Sequence, residues 1–257
     1  MSQEDVNVLR RAKHMLENPG LAAKVTNLIG LPLEKAMKQL PNKWLAVIHR
    51  VTERSLLIAL DAAVATVETQ LQVPKRNGLH RLLVAGTGAV GGAFGVAGLP
   101  IELPVSTMVM LRSIADIARS EGEKLLSVEA KLACLEVFAL GGRSGSDDAS
   151  ESGYFAIRAA LAAAVADAAR HIAARGGATQ SAPAIVRLIA QIANRFGATV
   201  TQKAAAQAVP VLGAFGGAAV NVLFVNHFQD MAWGHFTVRR LERTYGSEVV
   251  RRKYQEV

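Results

Sequence analysis

Two long runs with almost no charged residue constrain this chain more than any other feature of its sequence. The first covers residues 82–111 and is broken only by Glu102, and the second covers the 26 residues 204–229. About 20 apolar residues are enough to cross a bilayer, so both runs are long enough. Both are rich in glycine and alanine, which contribute little transfer energy, and prolines interrupt them. Two interpretations therefore stay open: a pair of buried central helices, or a membrane-inserted form with either spanning helices or a re-entrant hairpin.

Glycine recurs within both runs at a spacing of three or four residues, which places the glycines on one face of a helix. A glycine inside a helix costs about 1 kcal/mol relative to alanine, so several in one stripe indicate a compensating close contact between helices. These helix-packing glycines are Gly88, Gly91, Gly92, Gly95 and Gly98 in the first run and Gly213, Gly216 and Gly217 in the second. We expect the two segments to meet through their backbones.

Apolar residues follow helical spacing along nearly the whole chain, and no alternating run persists that would predict a sheet. The sequence predicts an all-α protein, a single multi-helix domain over residues 1–257 around the two glycine-rich segments. The predicted helices are 3–17, 31–40, 43–72, 79–98, 103–121, 126–140, 151–175, 181–209, 211–226 and 227–245, with loops at 141–153 and 175–183. A weak two-fold internal repeat, at an offset of 124 residues, matches Gly92 with Gly216 and Gly122 with Gly246.

The charge balance suits an anionic partner, because 29 basic residues stand against 21 acidic ones. Aromatic residues make up only 5% of the chain, which disfavours the stacking surfaces of single-strand nucleic-acid binding. A membrane surface is therefore the expected partner and nucleic acid is not. The basic residues that flank the two runs are expected to face that membrane. They are Lys75, Arg76 and Arg81 near the first run and Arg239, Arg240 and Arg243 after the second.

The cellular setting follows from the N-terminus and from cysteine usage. Charges are spread through the first residues with no apolar segment after them, which disfavours a secretory signal. Cys134 is the only cysteine, so no disulfide can form within the chain. Both observations predict a cytoplasmic location.

The one concentration of polar residues in an apolar context is a candidate ligand site. It consists of Glu102, Asn226, His227, Asp230 and His235. Ionisable groups in apolar surroundings are costly and are often functional, although a satisfied structural hydrogen-bond network is the alternative. A metal site lacks a clear third ligand. No catalytic motif for a nucleophile, a zinc hydrolase or a nucleotide-binding P-loop is present, and no cofactor is expected.

One motif remains ambiguous. Gly86, Gly88 and Gly91 satisfy the GxGxxG pattern of dinucleotide-binding loops. The βα units that should surround such a loop are missing from the pattern, so we interpret these glycines as part of a glycine-striped helix.

Three blocks of the sequence resemble the EcsC protein family. They are LENPGLAAKVTNLIGLPLEKAMKQLP, GTGAVGGAFGVAGLPIELP leading into IADIARSEGE, and VPVLGAFGGAAVNVLFVNHFQDMAWGHFTVRRLERTYG. The family takes its name from a gene beside those of a bacterial ABC exporter. The resemblance implies a bacterial, cytoplasm-facing, membrane-associated helical protein, and it transfers no catalytic residue.

Three functional hypotheses follow. The first is a helical protein peripheral to the inner membrane that binds lipid or assists an ABC transporter. The second is a soluble carrier or binding domain for a hydrophobic ligand, in a pocket with Glu102, Asn226, His227 and Asp230 as polar anchors. The third, and least favoured, is a hydrolase that uses the polar group between Asn226 and His235.

Overall fold

The computed structural model describes residues 1–17, 21–30, 32–38, 40–65, 95–142, 153–208 and 213–257. Every regular element among them is a helix and none is a strand, so the predicted all-α class is confirmed. The described helices are α1 (Gln3–Glu17), α2 (Leu21–Ile29), α3 (Leu33–Lys38), α4 (Asn42–Ala65), a 3-10 turn (Gly95–Gly98), α5 (Leu99–Ser120), α6 (Val128–Leu140), α7 (Gly153–Arg175), α8 (Pro183–Gln207), α9 (Gly213–Tyr245) and α10 (Ser247–Glu256).

Local sequence signals set several of these boundaries. The Ser127 hydroxyl accepts a hydrogen bond from the Ala130 N–H at 3.1 Å and caps the start of α6. Pro183 begins α8, where its missing N–H leaves no unpaired donor. Helices α5 and α9 are followed by glycines with positive φ, 82° at Gly122 and 88° at Gly246. Many helices end in this way, so the agreement of the two glycines with the proposed repeat does not establish it, and the repeat stays a prediction.

Helix α6 occupies the centre of the core. Each residue from Ala130 to Leu140 is buried, because α4, α5, α7, α8 and α9 all pack against it. A helix that is apolar around its whole circumference is expected to be enclosed in this way. Its two buried charged residues, Lys131 and Glu136, are accommodated individually. Lys131 donates to the Val64 carbonyl oxygen at 3.4 Å, near the C-terminus of α4, and burial lowers its pKa. Glu136 lies near Arg158 and Arg239, and burial raises its pKa.

Helix α9 organises the remaining packing. It is continuous over 33 residues, whereas the sequence predicted two helices that meet at residues 226 and 227. It contacts α1, α2, α5, α6, α8 and α10. Its side chains Phe224 and Phe228 form one ring cluster with Phe138 and Phe196, in which neighbouring ring centroids lie 4.9–6.0 Å apart. Buried side chains from each of the ten described α-helices join one cluster.

The helices that contain the described parts of the two uncharged runs pack against each other. Residues 99–111 belong to α5 and residues 213–229 to α9, and these helices pack together. Gln229 Nε2 donates to Ser113 Oγ at 2.7 Å across this contact. The part of the first run before residue 95 lies outside the described residues. Among the helices that are described, none combines the length and apolar character needed to cross a bilayer.

Candidate functional site

Glu102 makes a buried ion pair between α5 and α8. It lies in the first turn of α5 and is 4% exposed. Lys203 Nζ is 2.6 Å from Glu102 Oε1, and Gln207 Nε2 donates to Glu102 Oε2 at 3.3 Å. Lys203 Nζ also lies 4.7 Å from the centroid of the Phe224 ring. Burial lowers the pKa of Lys203, and the charge of Glu102 opposes that shift. The sequence analysis identified Glu102 but neither of its partners, which approach it from a distant part of the chain.

His227 points into the core and caps the C-terminus of α6. Its Nε2 lies 2.8 Å from the Gly141 carbonyl oxygen, which also accepts a hydrogen bond from Thr199 Oγ1 at 3.1 Å. Since a carbonyl oxygen only accepts, the proton of the neutral ring is on Nε2. Nδ1 has no hydrogen-bond partner among the described residues. Burial lowers the pKa of His227 to about 4, with a smaller contribution from the charge of Lys24, and the hydrogen bond to Gly141 opposes this.

His235 belongs to a different polar network, between α7 and α9. Its Nδ1 is 3.0 Å from the Tyr154 hydroxyl, which accepts from Arg158 Nη1 at 3.3 Å. The tyrosine proton is therefore directed at His235. Arg158 also forms two hydrogen bonds to Glu242, at 2.9 and 3.1 Å. Burial holds the pKa of His235 well below its ordinary value, and the charges of Arg158 and Arg239 add to the effect.

Asn226 and Asp230 lie on a half-buried face of α9, apart from the two histidines. Burial raises the pKa of Asp230, while the charges of Lys24 and Arg11 act in the opposite direction. The Arg11 guanidinium lies 4.8 Å from the centroid of the Trp233 ring. The five predicted site residues are therefore divided among three internal contacts and one surface.

An open groove lies along the same face of α9, between it and α2. Its volume is about 610 Å³, and it is lined by Lys24, Asn27 and Leu28 from α2 and by Ala219, Val222 and Leu223 from α9. At helical spacing, Asn226 and Asp230 continue the α9 wall by one and two turns. We call this site the α2–α9 groove. Its volume lies within the range of roughly 300–1,000 Å³ that is usual for small-ligand sites.

The arginines after the second run are engaged within the molecule. Arg239 pairs with Glu123 at 2.8 Å, and Arg240 pairs with Glu121 at 2.8 Å. Arg243 also pairs with Glu123. These contacts fasten the end of α9 to the connection between α5 and α6. A role for the three arginines at a membrane surface stays a prediction, and their charges are already compensated by carboxylates. Lys75, Arg76 and Arg81 lie outside the described residues.

Close backbone approach is found at Gly142 and Gly234. A Cβ on Gly142 would fall on the Arg195 carbonyl oxygen. One on Gly234 would lie 2.8 Å from Leu16 Cγ and 3.2 Å from the Ala12 oxygen, at the α1–α9 contact. Gly141 and Gly142, the first two residues of the predicted loop 141–153, are also buried.

The predicted packing glycines are only partly described. Gly95 and Gly98 lie in the 3-10 turn, and Gly213, Gly216 and Gly217 lie at the start of α9. Gly88, Gly91 and Gly92 fall outside the described residues, together with the GxGxxG pattern.

The described part of the chain contains no group of three or more histidine, cysteine or acidic residues that could hold a metal ion. An all-α protein with an amphipathic surface groove is the class that the fold and the site define. The chain belongs to the EcsC protein family, whose model matches residues 3–241. Comparison with curated proteins gives no match, and comparison with solved structures gives none either.

Proposed function

We propose that this protein binds an anionic amphiphile, with the apolar chain of the ligand in the α2–α9 groove and its acidic group near Lys24. The observation that carries the proposal is the composition of the groove. Leu28, Ala219, Val222 and Leu223 supply apolar walls, while Lys24 and Asn27 supply polar groups on one wall. Ligand sites typically combine an apolar lining with a few polar groups that fix the orientation.

The charges around the groove favour an acidic ligand. Lys24 is exposed and makes no ion pair among the described residues. The charges of Lys24 and Arg11 both lower the pKa of Asp230. Two cations therefore lie near this one carboxylate, at the end of the groove that Asp230 extends. The net positive charge attracts a carboxylate or phosphate head group. A membrane lipid on the cytoplasmic face of the inner membrane and a free hydrophobic acid share this chemistry.

The internal residues support the hydrolase alternative less well. His227 donates to the Gly141 carbonyl oxygen, and no hydrogen bond joins it to Asp230. Glu102 is neutralised by Lys203 and lies at a separate contact. Assistance to an ABC transporter, which the family resemblance implies, stays a prediction.

A dansyl-labelled fatty acid and its methyl ester test the proposal by fluorescence titration of the purified protein. Ala219→Phe fills the groove and is expected to weaken binding of both probes by at least about tenfold. Lys24→Gln should weaken binding of the acid by up to about fivefold and leave the ester unchanged, because an exposed pair contributes up to about 1 kcal/mol.

Ala160→Phe is the matched control, since Ala160 is exposed on α7. It should bind both probes like the wild type. Saturable binding that Ala219→Phe leaves intact would place the ligand elsewhere and refute the proposal.

A further inference from the structure

One face of α4 carries cations that no carboxylate among the described residues neutralises. Lys43, Arg50 and Arg54 are exposed, and none lies within 4 Å of a carboxylate among the described residues. On the same helix, His49 Nδ1 lies 3.6 Å from Glu53 Oε2. At 100° per residue, Arg50 and Arg54 project within about 20° of Lys43, so the three form one row along the helix.

Aliphatic side chains lie within the same row. Ala46, Val47, Leu57 and Ile58 all project within about 60° of Lys43. Ala46 and Ile58 are exposed, and Val47 and Leu57 are half-buried. We call these seven residues, Lys43 to Ile58, the α4 stripe. The face becomes acidic one turn later, at Asp61, whose carboxylate accepts a hydrogen bond from Gln180.

Helix α3, which directly precedes α4 in the chain, carries two further exposed cations. Lys35 and Lys38 are exposed and unpaired among the described residues, and Met37 beside them is 37% exposed. The turn into α4 is tight, since Leu40 N–H donates to the Met37 carbonyl and Trp44 N–H to the Pro41 carbonyl, at 3.1 and 2.9 Å. Five cations therefore lie within 20 residues of chain, in contrast to Arg239, Arg240 and Arg243, which all pair with carboxylates.

We propose that the α4 stripe, with Lys35 and Lys38, is the surface by which this protein docks on an anionic lipid bilayer. Lysine and arginine side chains lie along apolar surface while their charges reach the head groups, and the aliphatic residues enter the boundary between head groups and acyl chains. The side chains interleaved with the cations are aliphatic, whereas single-stranded nucleic acid requires aromatic rings for stacking. A bilayer therefore fits this surface better than a nucleic acid does.

Vesicle co-sedimentation of the full chain tests this surface. Vesicles of phosphatidylglycerol and phosphatidylcholine are compared with vesicles of phosphatidylcholine alone, at low salt. Binding is expected only to the anionic vesicles and should decline as added salt screens the charges. The double variant Arg50→Gln/Arg54→Gln should lower the partition coefficient by about 30-fold, since each cation near an anionic surface contributes roughly fivefold.

The control is Arg10→Gln/Lys124→Gln, which removes the same charge from two exposed residues on other surfaces, neither of them in an ion pair among the described residues. It should bind within twofold of the wild type. Circular dichroism establishes that both double variants are folded. If both double variants lost vesicle binding equally, the loss would reflect the net charge of the protein rather than the α4 stripe, and the proposal would be overturned. Tighter binding to a single-stranded oligonucleotide than to vesicles would also overturn it.

The stripe and the α2–α9 groove are tested separately. The Ala219→Phe variant should retain vesicle binding, and the Arg50→Gln/Arg54→Gln variant should retain the labelled fatty acid. If the wild type binds the fatty acid but no anionic vesicle, the docking surface is refuted and the groove is not. If the wild type binds vesicles through the α4 stripe but no fatty acid, ligand binding in the groove is refuted and the docking surface is not.

Discussion

Lys203 Nζ lies 2.6 Å from Glu102 Oε1, and both side chains are almost fully buried, at 1% and 3% exposure. The pair joins the first turn of α5 to the last turns of α8. Removing one partner of such a pair leaves an uncompensated charge in the interior, whereas removing both exchanges it for apolar contact. The interaction therefore makes the two helix ends depend on each other.

Single substitutions in this pair should be far more costly than the double substitution. Glu102→Leu or Lys203→Met alone is expected to lower the free energy of unfolding by about 3–5 kcal/mol. The double variant should recover most of the lost free energy of unfolding. The part not recovered is the contribution of the hydrogen bond that Gln207 donates to Glu102. A double-mutant cycle by urea denaturation measures the coupling. Additive effects would contradict the buried ion pair.

Acid should destabilise the protein through its buried histidines. His227 has a folded pKa of about 4 against an ordinary value of 6.5, so the folded state binds fewer protons than the unfolded state between these values. The stability that His227 contributes is complete above pH 6.5 and is lost as the pH falls toward 4, by about 3 kcal/mol.

His227→Gln should reduce this pH dependence, because an amide can donate to the Gly141 carbonyl oxygen without titrating. His235, whose pKa is also lowered, should supply the slope that remains. Urea unfolding curves between pH 7 and pH 4 provide the measurement. A variant with the same slope as the wild type would show that His227 is not the titrating group.

Gly142→Ala should disrupt the end of α6. The added Cβ would overlap the Arg195 carbonyl oxygen, which belongs to the backbone of α8 and cannot rotate away. We expect a loss of about 3 kcal/mol or more in thermal or chemical unfolding. Gly197→Ala is the control, because a Cβ there meets nothing within 4 Å and alanine is favoured inside a helix. It should be neutral or stabilise by up to about 1 kcal/mol.

Cys134 should be unreactive in the folded protein. It is buried in α6, and the loss of solvent raises the pKa of its thiol to about 12. Since the thiolate is the reactive form, a disulfide reagent at pH 8 should modify it only when the protein opens. Labelling rates should follow the free energy of unfolding across the destabilised variants above. Rapid labelling of the native wild type would be inconsistent with an enclosed α6.

Helical spacing was sufficient to predict the fold class and most element positions. Residues 3–17 were predicted as a helix with the boundaries that α1 has. Two short helices, α2 and α10, were missed. Helix α2 contains nine residues and α10 ten, and periodicity is weak evidence over so short a length. The predicted break within α9 did not occur, because Asn226 and Asp230 are half-exposed there and polar residues at such positions do not interrupt a helix.

The candidate site was harder to predict because its partners are distant in sequence. Glu102 and Lys203 are separated by 101 residues, and Arg239 and Glu123 by 116. Periodicity reports which face of a helix is apolar, and it contains no information on which faces meet. Arg239 was therefore interpreted as a residue that flanks an apolar run, Lys203 was not identified as the partner of Glu102, and the unpaired cations of α4 were not distinguished from ordinary solvent-exposed charges.

The enclosure of α6 has a consequence for synthesis of the protein on the ribosome. Its neighbours α4 and α5 precede it, whereas α7, α8 and α9 follow it, and α1 packs on α9 and α10. A nascent chain that has been translated only as far as α7 carries a helix whose apolar circumference is half covered. Enclosure of α6 must wait until α9 has been synthesised, so chains that end before α9 should be substrates for chaperones rather than stable fragments.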